Sequence, residues 1–415
     1  MVLFDKNLYS LTFEQFFRFL LGFATTIIFA RYLGSEGFGI YSYILVIFGV
    51  INSISKLSLD APLQKNFYYL NEKASNEMFS VSLLLRLLTS SILVLLALII
   101  LMVYDPLNLS TLSLYFLIAA ASFYQFDIFE NIYFSLSQGY KVAIVRLLIV
   151  ILSFSIKIMM ISLGFPKDFI IATLILEPLF YFIFYSFLNR KRFFNFQKIS
   201  YLKKYFEISD IVLLSFSSIC FFLLLYFERI FLGWFAPSKE LGIYFAGVKV
   251  VDFMLAIPMI LSIKFFPALV QSQDAGKDSL RKNLDRFYTV MNLSGATIAV
   301  TLFFISPFLV KLFGSEYTES TEIAKYYSII IFFYFISVAR GRYLILQKEY
   351  KLLAKIAALT LFVSIIYAFI LIPSFGAFGA VLCSIFTHIS FCLIPLFFKG
   401  QRDEIIRQFF SFTRY

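Results

Sequence analysis

The residues of this sequence that could do chemistry are charged side chains inside long apolar runs. Five of the cations in such runs are candidates for a binding site: Arg18, Lys56, Arg146, Lys157 and Lys249. Arginine binds phosphate through a planar fork of donors, and lysine binds it as a point charge. We therefore predict that these cations line a cavity between helices and attract a substrate that carries phosphate or carboxylate groups.

Carboxylates stand in the same runs, and two of them are spaced to pair with a cation on their own helix. Glu14 and Arg18 are four residues apart, and Lys249 and Asp252 are three apart. A charge near the bilayer centre costs about 2.5–3.5 kcal/mol on insertion scales, so such charges need partners or water. Two interpretations stay open: the pairs only lower the cost of insertion, or they belong to the cavity. Lys157 has no partner on its own helix.

The elements that must hold these charges are membrane-spanning helices. The chain has 415 residues, 60% of them hydrophobic and 15% charged, whereas soluble domains carry about 25% charged residues. A helix crosses a bilayer with about 20 apolar residues, so twelve such helices use most of the chain. This excludes a soluble enzyme with a membrane anchor, and the continuous apolar runs exclude a barrel of alternating strands. We predict an all-α membrane protein.

Counts of a few residue types narrow the chemistry. The single His, His388, and the three Cys lie in apolar runs without metal-binding spacing, so we expect no metal site and no bound cofactor. The net charge of +11 indicates basic cytoplasmic loops rather than a surface for nucleic acid.

Helix breakers such as Pro106, Pro166, Pro237 and Pro373 divide the apolar runs into twelve predicted spans. Spans 1 to 12 are 8–30, 38–62, 78–103, 111–134, 142–163, 169–189, 208–233, 241–270, 288–313, 320–346, 352–372 and 377–398. Other cations inside the runs stand near the cytoplasmic helix ends, where long side chains can reach the membrane interface: Lys264, Arg340, Arg342 and Lys355, with Arg86 and Arg146 slightly deeper.

The charges of the connecting segments predict the orientation of the spans. With a cytoplasmic N-terminus, the outside segments carry only Arg31, Lys167, Lys239 and Lys311, and the other loop cations fall inside. Both termini are therefore predicted to face the cytoplasm. Every outside loop is short, whereas membrane glycosyltransferases and polymerases use a substantial outer loop for catalysis, so we expect no enzyme activity.

The two halves of the chain resemble each other. Gly-Ile-Tyr opens span 2 at 39–41 and span 8 at 242–244, and a Tyr-Lys pair precedes spans 5 and 11 at 140–141 and 350–351. Each match is displaced by six spans, so the repeat is parallel, and two six-helix bundles should enclose a central cavity. The predicted parts are an N-terminal bundle at 1–189, a basic cytoplasmic linker at 190–207, a C-terminal bundle at 208–398 and a cytoplasmic tail at 399–415.

Six motifs along the chain carry a family resemblance. They are 29–34 (Phe-Ala-Arg-Tyr-Leu-Gly), 36–42, 57–63 (Leu-Ser-Leu-Asp-Ala-Pro-Leu), 266–269 (Phe-Pro-Ala-Leu), Pro307 with 312–317, and 371–373 with 376–380. In order and position they are similar to motifs of the Wzx-type polysaccharide flippases, in the multidrug/oligosaccharidyl-lipid/polysaccharide (MOP) exporter superfamily. Ser58 stands where that family usually has Gly. The resemblance covers nearly the whole chain, and none of its motifs is catalytic.

The resemblance implies a flippase in the bacterial cytoplasmic (inner) membrane. The family is thought to move undecaprenyl-diphosphate-linked oligosaccharide repeat units to the outer leaflet by alternating access, for O-antigen of lipopolysaccharide, capsule or exopolysaccharide. The diphosphate and any acidic sugars would then meet Arg18, Lys56 and Lys249, with Arg146 and Lys157 behind them. Further partners are membrane lipids and, as candidates, a polysaccharide polymerase and a chain-length regulator.

Net transport needs an energy source, because flipping a lipid between identical leaflets has no standard driving force. Family resemblance implies coupling to an ion gradient, of protons or sodium. A proton-coupled carboxylate must alternate between charged and neutral forms, and Asp60, Asp127 and Asp252 are the candidates. The alternative function is a multidrug-type, ion-coupled exporter of small molecules in the same superfamily. The excess of cations inside the runs argues against it, because those pumps mostly export organic cations.

Overall fold

The computed structural model describes residues 6–60, 63–64, 67, 72–103, 120–190 and 208–410. Regular secondary structure in these ranges is helical throughout. The α-helices, numbered in chain order, are α1 Lys6–Ser55, α2 Glu72–Val103, α3 Glu130–Ser135, α4 Gly139–Ser162, α5 Lys167–Ala172, α6 Leu176–Leu188, α7 Ile208–Phe235, α8 Ser238–Asp252, α9 Ala256–Asp274, α10 Lys277–Val310, α11 Ser320–Tyr327, α12 Ile329–Leu346, α13 Tyr350–Leu393 and α14 Arg402–Phe409. Short 3-10 segments occur at Tyr124–Phe129, Thr173–Ile175, Phe253–Leu255, Lys311–Phe313, Ser315–Tyr317 and Ile394–Phe397.

Two of these helices are too long to cross a membrane once. With 50 and 44 residues, α1 and α13 would be roughly 65–75 Å long if straight, more than twice the hydrocarbon thickness. Each is broken at a glycine with positive φ, at Gly34 (72°) and at Gly376 (54°). Glycine adopts such a φ without the steric cost that a Cβ brings. Helix α1 therefore holds spans 1 and 2, and α13 holds spans 11 and 12.

The predicted spans agree with the helices. In the part of the chain that the structure describes, nine helical stretches are long and apolar enough to cross a membrane. Two of the nine hold two spans each, so they account for every predicted span except span 4. Residues 111–119 of span 4 lie outside the described ranges, as do 61–62 of span 2, 191–207 of the linker and 411–415 of the tail. From residue 120, span 4 is helical up to α3.

Apolar side chains on the outer faces of the helices fit a lipid environment. On α2, Ile92, Leu95, Leu96 and Ile99 repeat at helical spacing, and each is more than half exposed. A soluble protein does not keep such a stripe open to water, whereas a bilayer covers it.

The chain groups into two compact units. The first comprises Met1–Leu33 and Ile40–Ile219, and the second comprises Gly34–Gly39 and Cys220–Tyr415. Each unit has an apolar core, around Phe79, Phe129 and Tyr185 in the first and around Leu344, Ile356 and Phe391 in the second. The division into the parts 1–189, 190–207, 208–398 and 399–415 stays a prediction.

One turn occurs twice, at equivalent places of the predicted repeat. Ser137, after span 4, has φ 55°, and Lys348, after span 10, has φ 59°. In each case the next amide donates to a carbonyl five residues back: Gln138 N to Tyr133 O at 2.8 Å, and Glu349 N to Leu344 O at 2.9 Å. The same backbone closure at both places supports a parallel repeat.

The position at which the sequence departs from the family pattern also has a positive φ. Leu57 and Ser58 have φ of 50° and 49°, a conformation that glycine adopts best. Ser215 Oγ donates to the Leu57 carbonyl at 2.7 Å, and Ser58 Oγ donates to Ser218 Oγ at 2.9 Å. These bonds help to hold a turn for which Ser58 is not the best residue.

The tail folds back onto α10 through polar contacts. Arg407 of α14 pairs with Asp285 at 2.7 Å, and Tyr288 Oη donates to Glu404 at 2.9 Å. Burial alone would lower the pKa of the Arg407 guanidinium, but its hydrogen bond to Asp285 and the charge of Glu404 raise it above the usual value. The short helix is thus fixed to the second unit by its charged side chains.

Candidate functional site

Arg86 links three residues that were predicted as separate site candidates: Lys56, Asp60 and Asp127. Its Nη2 lies 2.6 Å from Asp60 Oδ1 and its Nη1 lies 3.0 Å from Asp127 Oδ1. Lys56 Nζ lies 2.5 Å from the other oxygen of Asp127. Arg86 itself is fully buried, so its side chain contacts these carboxylates and not the solvent. We call Lys56, Asp60, Arg86 and Asp127 the Arg86 group.

A second ionic group lies in the same unit. Arg146 donates two hydrogen bonds to Glu130, from Nε at 2.9 Å and from Nη2 at 2.5 Å. Arg18 Nε lies 3.1 Å from Glu14 Oε1, which confirms the predicted pair, and Arg146 Nη1 lies 3.8 Å from Glu14 Oε2. Tyr185 Oη donates to Glu130 at 3.1 Å. Each carboxylate of this group therefore has a cation and a further neighbour.

Lys157 finds its partner on another helix. Its Nζ lies 2.8 Å from Glu177 Oε1, and Ser153 Oγ donates to the same oxygen at 3.4 Å. A cavity of about 70 Å³ opens beside the pair, and Arg18 lines its other side. The space suits a water or a small polar group, because a water needs room and two to four polar partners.

The cations of the first unit differ in the exposed fraction of their side chains. The side chains of Arg18, Lys56 and Arg146 are 35%, 31% and 22% exposed, whereas those of Lys157 and Arg86 are 6% and 0% exposed. A cation with an open side can keep its internal partner and still meet a ligand. The geometry therefore favours the first three as contacts for an anion.

In the second unit the charges meet at one arginine. Arg229 Nη1 and Nη2 each lie 2.9 Å from an oxygen of Asp252, and Nη2 also donates to Tyr327 Oη at 2.9 Å. Its Nε lies 3.3 Å from Glu228. Tyr244 Oη donates to Glu228 at 3.3 Å. We call Glu228, Arg229 and Asp252 the Arg229 group.

This arrangement corrects the pairing predicted for Lys249. Asp252 is held by Arg229, whose planar fork matches both carboxylate oxygens. In the described ranges no carboxylate oxygen lies within 4.0 Å of Lys249 Nζ, and the side chain is only partly buried. Lys249 is thus a charge inside a helix without an ion-pair partner among the described residues.

Arg86 and Arg229 are the residues that the sequence-based selection of sites missed. Both stand in apolar runs, at 83–88 and at 221–232. A charge inside such a run is the feature of the sequence that could have identified them as site residues. The sequence does not show that two carboxylates from other segments converge on each of them. The three Cys are buried free thiols, and His388 is buried with Nδ1 2.8 Å from the Ser384 carbonyl oxygen.

Solved structures show the fold. An outward-facing multidrug resistance MATE family transporter of the MOP superfamily matches with TM-score 0.64 and 11% identity, over 96% of this chain and 94% of that one. The lipid II flippase MurJ in an inward closed conformation matches with TM-score 0.64 and 15% identity, over 97% and 90%. A MOP superfamily transporter from Pyrococcus furiosus matches with TM-score 0.61 and 13% identity, over 97% and 96%. The predicted fold class, two parallel repeats of membrane helices, is confirmed.

Sequence comparison shows the family. No curated protein matches the chain. A family model described as "Polysaccharide biosynthesis protein" matches residues 4–252, which include the Arg86 group and the Arg229 group. The match covers more than half of the chain, so the chain belongs to the polysaccharide biosynthesis protein family, in agreement with the resemblance carried by its motifs.

Proposed function

We propose that this protein flips polyprenyl-diphosphate-linked oligosaccharide repeat units from the cytoplasmic to the outer leaflet of the bacterial cytoplasmic membrane. The polymer would be O-antigen, capsule or exopolysaccharide, and both termini would face the cytoplasm. Family membership and the transporter fold support this proposal. The substrate chemistry rests on the charged side chains.

The observation that carries the proposal is the state of Lys249. A lysine inside a membrane helix costs about 2.5–3.5 kcal/mol on insertion scales, and in the described ranges no carboxylate within 4.0 Å offsets that cost. A substrate anion would supply the missing partner. A diphosphate fits, because an ammonium binds phosphate oxygens as a point charge.

Three cations of the first unit also support an anionic substrate. Arg18, Lys56 and Arg146 are paired but partly open, so each can share its charge with a phosphate or an acidic sugar. The Lys157 side chain is nearly buried, so it would contact the substrate only after its ion pair with Glu177 breaks. We therefore rank Lys157 last among the five proposed substrate contacts.

Coupling to a proton or sodium gradient is part of the same proposal. Asp60, Asp127 and Asp252 stay the candidates, and each contacts an arginine. Moving a proton onto any of them must break or weaken an arginine contact, which would link ion binding to helix movement. A polysaccharide polymerase and a chain-length regulator are proposed partners.

The first experiment is a gene deletion followed by lipid extraction. We expect single repeat units on polyprenyl diphosphate to accumulate on the cytoplasmic leaflet, with loss of surface polymer and rescue by the wild-type gene. Accumulation on the outer leaflet would indicate a defect in polymerisation instead. Unchanged lipid and polymer pools, with increased drug sensitivity, would favour a multidrug-type exporter.

A pair of lysine variants tests the binding site. Lys249→Ala should lower surface polymer at least about tenfold, equivalent to about 1.4 kcal/mol of lost binding, and Lys249→Arg should restore part of it. Lys264→Ala is the matched control, because Lys264 lies on α9 of the same span with an exposed side chain. Wild-type polymer in Lys249→Ala cells at normal protein abundance would contradict the assignment.

A further inference from the structure

A polar stripe runs along one face of α10, and the C-terminal helix α14 lies on it. Arg407 Nη2 donates to the Arg281 carbonyl oxygen at 2.5 Å. Asn292 Nδ2 donates to the Gln408 carbonyl oxygen at 2.6 Å, and Gln408 Nε2 donates to the Ile336 carbonyl oxygen of α12 at 2.8 Å. The stripe consists of residues that recur at helical spacing: Arg281, Asp285, Tyr288 and Asn292. The short helix therefore contacts both α10 and α12.

The face of α14 that meets this stripe is largely polar, although it is buried. Of the buried residues of the helix, Arg407 and Gln408 are polar and Ile405 is apolar. A polar group that leaves the protein surface regains hydrogen bonds to water, so each of these contacts adds little net stability. Helix α14 can therefore leave α10 more easily than a helix with an apolar inner face could.

Three side-chain donors of α10 and α12 lie beneath this helix. The Tyr288 hydroxyl donates to Glu404, and the Asn292 amide donates to a carbonyl oxygen of α14. The third donor is Arg340, one turn after Ile336 on the same face of α12. Arg340 is 3% exposed, its charge interacts with that of Glu404, and its Nη1 has no hydrogen-bond partner in the described ranges. We call Tyr288, Asn292 and Arg340 the donor cluster.

The donor cluster has the composition of a site for an oxyanion. Guanidinium, amide and hydroxyl side chains are groups that proteins use to bind phosphate oxygens. Helix α14 supplies two acceptors, the Glu404 carboxylate and the Gln408 carbonyl, and leaves Arg340 Nη1 unsatisfied. A buried donor without a partner costs free energy. A phosphate has more acceptor oxygens than a carboxylate, so it can satisfy all three donors at once.

The cluster lies near the membrane depth of lipid phosphates. Tyr288 is the first residue of predicted span 9, and Arg340 lies less than two turns before the end of predicted span 10. Consecutive spans run in opposite directions, so both residues are near the same membrane surface. Phe397 and Phe410, on either side of α14, are 87% and 55% exposed, as expected for aromatic side chains at an interface. A lipid phosphate can therefore reach the cluster once α14 has moved.

We propose that the donor cluster is a binding site for the phosphate group of a membrane lipid, and that α14 is its built-in occupant, displaced when the lipid binds. The proposal does not depend on the proposed function, because it concerns binding and not transport. An anionic phospholipid and a polyprenyl diphosphate share the phosphate chemistry. The experiment therefore compares these two sources.

The first measurement is amide hydrogen exchange of α14 in the full-length protein. The protein is compared in dodecyl maltoside, which has no phosphate, and in the same detergent with phosphatidylglycerol or with sugar-free undecaprenyl diphosphate. A displaced helix of 8 residues is not stable in water, so a lipid that binds should make its amides exchange at least about tenfold faster. A response to either lipid supports the site and identifies the source of the phosphate. Equal exchange in all three samples would overturn it.

Two variants of one hydrogen bond distinguish a binding site from a structural contact. Glu404→Gln weakens the occupant and leaves the donor cluster intact, so the protein should retain several-fold more lipid, counted by native mass spectrometry. Tyr288→Phe breaks the same contact but removes a donor of the site, so retained lipid should fall several-fold. If Tyr288 and Glu404 only fastened the tail, both variants would change lipid retention in the same direction, and that result would contradict the proposal.

Arg340→Gln and Arg342→Gln are a matched pair on one helix. Arg340→Gln should abolish the effect of lipid on α14 exchange. Arg342 donates to Ser262 Oγ at 3.1 Å and is not part of the donor cluster, so Arg342→Gln should keep that effect. A wild-type response of Arg340→Gln would also overturn the site. If Arg340→Gln lowers protein abundance, the opposite signs expected for Glu404→Gln and Tyr288→Phe still decide.

Discussion

The two units balance their buried charges in different ways. In the first unit, Asp127 contacts both Arg86 and Lys56, and Glu14 contacts both Arg18 and Arg146. In the second unit, Arg229 is the one cation of the described ranges that pairs with Glu228 and Asp252. The first unit therefore tolerates the loss of one contact, as it must if its cations also bind a substrate. Glu228 and Asp252 thus share one guanidinium as their ion-pair partner among the described residues.

The largest effect is expected from Arg229→Gln. It leaves two carboxylates of the second unit without their cation, and removing one partner of a buried pair costs about 3–5 kcal/mol. We expect little folded protein, measured as membrane abundance and melting temperature in detergent. Arg342→Gln is the control, since Arg342 donates to Ser262 Oγ, lies over the Phe266 ring and has no ion pair among the described residues. A wild-type melting temperature for Arg229→Gln would show that the two units do not differ in this way.

Arg86→Gln should cost less, although Arg86 is equally buried. Asp127 keeps Lys56 at 2.5 Å, and the Asp60 side chain is 43% exposed and can be hydrated. We expect a loss of about 1–3 kcal/mol, the cost of a charged group left without one bond. The measurement is the same melting experiment. A loss of stability as large as that of Arg229→Gln would show that Lys56 does not compensate for the missing Arg86 charge.

Arg146→Gln should cost about 1.5–2 kcal/mol of stability, the lower end of the range for lost hydrogen bonds to a charged group. Glu130 keeps the Tyr185 hydroxyl and Glu14 keeps Arg18, so neither carboxylate is left alone. Surface polymer should fall more than stability does, because Arg146 is also a proposed substrate contact. An equal fall in both would mean a purely structural residue.

The smallest effect is expected at Lys157 and Glu177. Glu177 is 41% exposed, so Lys157→Gln should cost only about 1 kcal/mol, the upper range for open ion pairs. A double-mutant cycle with Glu177→Gln should give a coupling energy of about 0.5–1 kcal/mol. A coupling energy near zero would show that the two side chains act independently.

Patterns along one helix were predictable from the sequence. Apolar runs and prolines predicted the spans, because burial in lipid requires continuous apolar surface. The Glu14–Arg18 pair was predictable because residues four apart share a helix face, and the repeat was visible in the two Gly-Ile-Tyr motifs.

Contacts between distant segments were not predictable. Arg86 meets carboxylates 26 and 41 residues away, and Lys157 meets Glu177 across a turn. Asp252 was assigned to Lys249 by spacing, but Arg229 competes for it with a better-matched fork. Which of several nearby cations takes a carboxylate depends on three-dimensional packing, and spacing alone does not contain that information.

The repeated turn offers a route to a sturdier sample for biochemistry. Ser137 and Lys348 adopt a left-handed backbone without being glycine, at a cost of about 1 kcal/mol or more each. Ser137→Gly and Lys348→Gly should relieve that strain while changing no residue of the ionic groups. Because the two turns belong to different compact units and share no hydrogen-bond partner among the described residues, their gains should add. A detergent-purified protein with both changes would be a more durable starting point for binding measurements.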